Sequence, residues 1–165
     1  MANVEKLVPF LLKWEEGTTD KTRVGEQLFE KARKKGFAND KDDDGGETMC
    51  GVTIATYKEY CRKKGYPVPT VERLKKISYK DWLAILKTMY WDRWQADKIQ
   101  NQSIANLLVD WTWTSGKYGI TWPQSYLGVT ADGIVGSKTL SALDAACNSK
   151  GSQAVFKGLT DKHLA

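Results

Sequence analysis

The sequence predicts a mainly α-helical domain, interrupted once by an acidic, glycine-rich loop or small hairpin near residues 36–53. Three observations carry this. Apolar residues recur at three- and four-residue steps along most of the chain, the spacing that gives a helix one buried face. The segment that departs from it is GFANDKDDDGGETMCGVTIATY, Gly36 to Tyr57, where Asp40, Asp42, Asp43 and Asp44 meet the pair Gly45 and Gly46. Asp and Asn prefer caps and turns, and paired glycine admits positive φ, so helix and regular strand both fail over residues 38–47. Finally, 165 residues at 41% hydrophobic fill one core rather than two, so residues 1–165 are expected to form a single domain.

The elements follow in order. Val4, Leu7, Val8, Leu11 and Leu12 trace the inner stripe of a first helix that kinks at Pro9 or begins near Val8. Four residues beyond Leu11, the stripe reaches Glu15. A carboxylate on the inner side of a helix's last turn is desolvated and faces the negative end of the helix dipole; both raise its pKa and suit it to general acid work. Glu16 points about 100° further round and is the surface neighbour. A polar turn and a short helix then occupy residues 18–35, with Val24, Leu28, Phe29 and Ala32 inward and Lys31, Arg33, Lys34 and Lys35 outward.

After the acidic segment, Ile54 to Lys64 reads as a helix stopped by Gly65. Thr70 caps a helix bearing Val71, Leu74 and Ile77. Ser78 with Asp81 opens another, SYKDWLAILKTMYWDRW, whose rings mostly serve the core. The run IANLLVDWTW after Ser103 is the candidate central helix, ending at Gly116, with Asp110 as a polar residue in need of a partner. Gly128, Asp132, Gly133 and Gly136 punctuate a loop; Ser137 is placed as the cap of a helix to about Cys147, and a further helix follows NSKGS.

Composition narrows the function classes. A net charge of +5 favours polyanionic partners, whether nucleic acid, anionic membrane or anionic wall, and seven Trp with seven Tyr supply rings that could stack on sugars or bases. Nucleic-acid binding has no recognised motif behind it. Asp40, Asp42, Asp44 and Gly45 copy the first half of a calcium loop, but position 12, where a bidentate Glu belongs, is Gly51, so no metal and no cofactor is expected. Cys50, Cys61 and Cys147 lack CxxC spacing and read as reduced, partly buried thiols; a Cys50/His163 nucleophile pair has no supporting motif. The run LVPFLL is too short to span a bilayer and carries no cleavage site, which predicts no membrane insertion and no secretory signal.

Taken together, FLLKWEEG, GFANDKDDDGGETMCGVT, the YWD at Tyr90 to Asp92, Val109 to Gly116 and the LGVxxDGxxGxxT pattern at Leu127 to Thr139 resemble glycoside hydrolase family 108, N-acetylmuramidases of lysozyme-like fold. The resemblance implies a catalytic part over residues 1–100 and a helical, peptidoglycan-binding type of segment over 101–165. It aligns the family's catalytic Glu with Glu15 and implies Asp43, then Asp40, as the second carboxylate. Thr48, Gly45, Gly46, Asp110, Trp111 and Tyr90 are the implied substrate contacts. Against the family pattern, about twenty residues, Glu16 to Lys35, separate Glu15 from GFAND; Thr114 stands for Asn and Ser137 for Pro. The implied activity is hydrolysis of the β-1,4 bond between N-acetylmuramic acid and N-acetylglucosamine in a peptidoglycan glycan strand, by a monomeric phage or prophage endolysin held in the cytoplasm until release. The alternatives are a lytic transglycosylase on the same bond and a non-catalytic wall-binding module.

Overall fold

The structure, a computed structural model, describes residues 1–16, 25–35, 37–39 and 47–164. The chain packs as two compact units: an N-terminal unit, Leu7–Met89, and a C-terminal unit of Met1–Lys6 with Tyr90–Ala165. Helix dominates both, as expected, and the segment near residues 36–53 is the small hairpin rather than a bare loop.

In the N-terminal unit, α1 spans Val8–Glu16. Pro9 falls in its first turn, where a backbone N–H has no intrahelical partner to lose, so the helix starts at Val8. Val4–Lys6 is a separate 3-10 turn. Leu7, Val8, Leu11 and Leu12 are buried, and α1 packs on α2 (Gly25–Lys35). That helix buries Leu28, Phe29 and Ala32 as its periodicity requires; Val24 lies outside the described residues. The Phe29 ring meets Tyr79 and Trp82 at centroid distances of 5.6 and 5.4 Å, joining α2 to α5 (Tyr79–Leu86).

The sheet is an antiparallel meander of β1 (Phe37–Asn39), β2 (Glu47–Met49) and β3 (Val52–Thr53). Phe37 pairs with Met49, Ala38 with Thr48, Asn39 with Glu47, and Met49 with Val52. Two residues therefore make the β2–β3 turn, and both hold positive φ: Cys50 at 50° and Gly51 at 84°. Such a turn matches the twist of its strands. Glycine adopts the conformation freely, whereas Cys50 is strained in it. Trp82 holds it there, its indole N–H donating to the Cys50 carbonyl at 3.1 Å inside the core. Thr53 then caps α3 (Ile54–Lys64), its hydroxyl accepting from the Thr56 N–H at 3.0 Å. Gly65 ends that helix, and Thr70 caps α4 (Val71–Lys75), a shorter helix than expected, with Ile77 buried just beyond it.

The helix expected to run from Ser78 to Trp94 is not uniform. After α5 the chain widens to a π turn over Lys87–Trp91, tightens to a 3-10 turn over Asp92–Trp94, and reverses at Gln95, φ 50°. The change of pitch falls where the chain passes from the N-terminal unit, which ends at Met89, to the C-terminal unit, resumed at Tyr90. On a regular helix Trp91 would fall about 180° round from Trp82. Here Trp82, Trp91 and Trp94 are all fully buried, and the latter two donate their indole N–H to Asp97 at 2.8 Å and to Thr112 Oγ1 at 3.0 Å.

The C-terminal unit is built on α6 (Gln102–Ser115), the central apolar helix, started by Asn101 accepting from the Ile104 N–H at 3.0 Å. It packs against α7 (Tyr118–Leu127), a helix that the sequence conceals because Pro123 lies inside it. Proline cannot donate to the carbonyl four residues back, here that of Gly119. Trp94 supplies the missing donor: its indole N–H also reaches Gly119 O at 3.3 Å. Helices α8 (Ser137–Lys150) and α9 (Ser152–Leu164) complete the unit. Ser137 is the first residue of α8 and not its cap, a position taken by Gly136 without any side-chain bond.

Buried Gln124 shapes the loop between α7 and α8. Its two amide N–H groups are shared among Ile134 O at 3.0 Å, Thr139 Oγ1 at 3.1 Å and Asp132 Oδ1 at 3.2 Å, and its carbonyl accepts from the Gly133 N–H at 3.0 Å. Gln124→Ala leaves these groups without their buried partner, at about 2 kcal/mol. A fall in Tm of about 4–8 °C, read by circular dichroism, is the expected result for a chain of this size.

Candidate active site

The sequence-predicted groups fall on both units. Glu15 occupies the last turn of α1, four residues past buried Leu11. Thr48 is the middle residue of β2, opposite Ala38 on one side and Thr53 on the other. Asp40, Asp43, Gly45 and Gly46 lie outside the described residues, as do the side chains of Glu15 and Thr48 and the calcium-like spacing of Asp40, Asp42 and Asp44. The strand ends that flank the acidic segment are nevertheless fixed, because Asn39 and Glu47 form the last pair of the β1–β2 ladder. Behind them stand the Cys50–Gly51 turn and the Trp82 bond that holds it. Sequence reasoning missed this support. Its signal was a non-glycine residue ahead of glycine in a two-residue turn.

On the C-terminal unit, Tyr90 and Asp110 are half-buried, whereas Trp111 is only 1% exposed. The Trp111 ring lies 4.4 Å from that of His163, tilted by 34°, and 6.1 Å from that of Trp122, nearly perpendicular to it. A ring so enclosed offers no face to a sugar, which corrects its reading as a substrate contact. The aromatic on Asp110's side of α6 is Trp113, three residues on, half-buried and 4.8 Å from the Tyr90 ring. The signal was there in the sequence: Gln102, Asn106, Asp110 and Thr114 recur at four-residue steps and mark the wet face of α6, which runs beside Trp113 and away from Trp111.

Burial sets the remaining protonation states. The Cys61 thiol is pushed up by desolvation, which keeps it protonated and inert. Burial also pushes His163 down. With its folded pKa below the ordinary value of about 6.5, the unfolded chain binds the proton more tightly, so His163 costs stability as pH falls through that value and below. Thermal melts between pH 7 and pH 5 are expected to show a steeper loss of Tm for the wild type than for His163→Gln. Parallel curves would exclude the contribution.

A family model described as glycosyl hydrolase 108 matches residues 31–116, just over half of the chain. The chain belongs to glycosyl hydrolase family 108. A second model, described as a predicted peptidoglycan domain, matches this family 108 hydrolase over residues 118–164, from the start of α7 to the end of α9. Among solved structures, that of Brucella abortus SagA is similar, with a TM-score of 0.69 at 21% identity, covering 98% of this chain and 77% of that one. At that identity the likeness is one of fold, a lysozyme-like helical architecture. A comparison with curated proteins finds no match. The family 108 hydrolase is therefore a glycoside hydrolase of lysozyme type, an N-acetylmuramidase acting on peptidoglycan, with a peptidoglycan domain as its C-terminal part. No described helix is long and apolar enough to cross a membrane.

Proposed function

We infer that Glu15 is the general acid that protonates the leaving oxygen of the β-1,4 bond between N-acetylmuramic acid and N-acetylglucosamine. The observation that supports it is the position of Glu15 in the last turn of α1, on the stripe that buries Leu7, Leu11 and Leu12. The family match begins at Lys31, so this role rests on the helix and on the KWEEG motif rather than on the matched region. Cleavage by this route needs one carboxyl group protonated while a second stays ionised. Asp43 is the second group in this reading and Asp40 the next choice, both on the segment between β1 and β2. Thr48, Gly45 and Gly46 contact the sugar or the attacking water in this reading, and Tyr90 and Asp110 of the C-terminal unit are further candidate substrate contacts.

The competing chemistry is lytic transglycosylation, in which the muramoyl 6-hydroxyl attacks internally and no second carboxylate is required. Mass spectrometry of the released muropeptides separates the two. Reducing muramic ends support hydrolysis; 1,6-anhydro ends would replace it with transglycosylation. The reading extends to a monomeric lysin of phage or prophage type that reaches the wall from the cytoplasm. Size-exclusion chromatography tests the first part, and lysis on cytoplasmic expression with and without a membrane-permeabilising partner tests the second.

A further inference from the structure

The C-terminal unit displays an aromatic pair that the catalytic reading does not use. Tyr118 and Trp122, one turn apart on α7, are 62% and 42% exposed, with ring centroids 5.9 Å apart. The Trp122 ring also packs nearly perpendicular to that of buried Trp111, with centroids 6.1 Å apart. Trp122 is therefore backed by the core before any ligand arrives, which lowers the ordering cost of binding.

Their polar edges are free. Trp82, Trp91 and Trp94 each donate their indole N–H to an acceptor within the protein. Among the described residues, the Trp122 indole N–H donates to none and the Tyr118 hydroxyl has no partner. Thr121 and Ser125, on the same side of the helix at i+3 and i+7 from Tyr118, add two more hydroxyls with no side-chain bond among the described residues. A tryptophan kept at the surface with its N–H unused is a ring suited to contact by something both apolar and hydrogen-bonding.

The charge pattern selects the occupant. Helix α7, YGITWPQSYL, has no ionisable Asp, Glu, Lys, Arg or His, in a chain that is 27% Asp, Glu, Lys and Arg; Lys117 stands just ahead of it. Polyanions and charged peptides find little to pair with on such a face. A sugar chain fits it, with C–H faces to lie on the rings and hydroxyls to meet the free polar edges. We propose that Tyr118 and Trp122 form a stacking platform for the glycan strand of peptidoglycan, holding the carbohydrate rather than the stem peptide. The proposal rests on the reading of the enzyme as a peptidoglycan hydrolase and assigns the binding role of its C-terminal part to two residues.

Binding is measured with the full chain carrying Glu15→Gln, so that the ligand is not consumed. Peptide-free glycan strands and free stem peptide serve as separate probes. Trp122→Ala and Tyr118→Ala are each expected to weaken glycan-strand binding about tenfold, with Trp122→Phe retaining most of it. In the Glu15 background, cleavage of a short soluble substrate should stay within about twofold for both variants, which also shows that they fold. Unchanged glycan affinity in both folded variants would overturn the platform, as would binding confined to the stem peptide. These outcomes are independent of the acid assignment: a Glu15→Gln protein that still cleaved would remove Glu15 from the mechanism and leave the platform standing.

Discussion

Glu15→Gln is expected to reduce the clearing of purified peptidoglycan by about a hundredfold or more. The substitution keeps the shape of the side chain and its place on α1 but removes the proton that the leaving oxygen must receive. Stability and wall binding should therefore be unchanged, which distinguishes lost chemistry from lost structure. Glu16→Gln is the internal control. Its side chain leaves the helix about 100° away from that of Glu15, so activity within about twofold of wild type is expected. If clearing survived Glu15→Gln and failed in Glu16→Gln, the register of the helix would have been misread by one residue. Asp43→Asn and Asp40→Asn then locate the second carboxylate: the variant that loses activity marks it, and retention by both, with anhydro products, would favour internal attack by the 6-hydroxyl.

How far the sequence could be read depended on which force decided each element. Helices set by one apolar stripe and a local cap, such as α3 behind Thr53 or α4 behind Thr70, are legible because their determinants lie within a few residues of one another. The hairpin was half legible. Gly45, Gly46 and Gly51 announced turns, but only the Asn39–Glu47 pairing and the long-range bond from Trp82 to Cys50 make strands of the flanks. Uniform helix from Ser78 to Trp94 is the natural reading, and it fails because Trp82 is buried in the N-terminal unit whereas Trp91 and Trp94 are buried in the C-terminal one, a division that periodicity alone does not express. Trp111 and Trp113 were separable within the candidate site. Asn106, Asp110 and Thr114, at four-residue steps, mark the open side of α6, which leaves Trp111 enclosed and Trp113 half-open beside the polar stripe.

Helix α7 was concealed for the most instructive reason, and Gly119→Ala tests it. Pro123 should weaken any helix that contains it by leaving the Gly119 carbonyl without its usual donor. The fold compensates by pressing α7 against α6 closely enough for the Trp94 indole N–H, already bonded to Thr112, to reach that carbonyl as well. Only glycine permits the approach. A methyl group at 119 would stand 2.5 Å from both Thr112 Cα and Trp111 C, and nearer still to Thr112 N; these are backbone atoms of α6, with no rotamer by which to move aside. The helices would have to separate, stretching the Trp94 bond and opening the core around fully buried Trp94 and Ile120. We expect a loss of about 3 kcal/mol or more, the upper end for an overpacked core, seen as a fall in Tm of about 6–12 °C. Gly136→Ala is the comparison, since a methyl there meets no atom within 4 Å and the backbone is extended, at φ −120°; its cost is only that of alanine at the α8 N-cap, about 1 kcal/mol. A Gly119→Ala protein as stable as wild type would show that α6 and α7 do not meet at this point, and would remove the account of how a proline-bearing helix is tolerated.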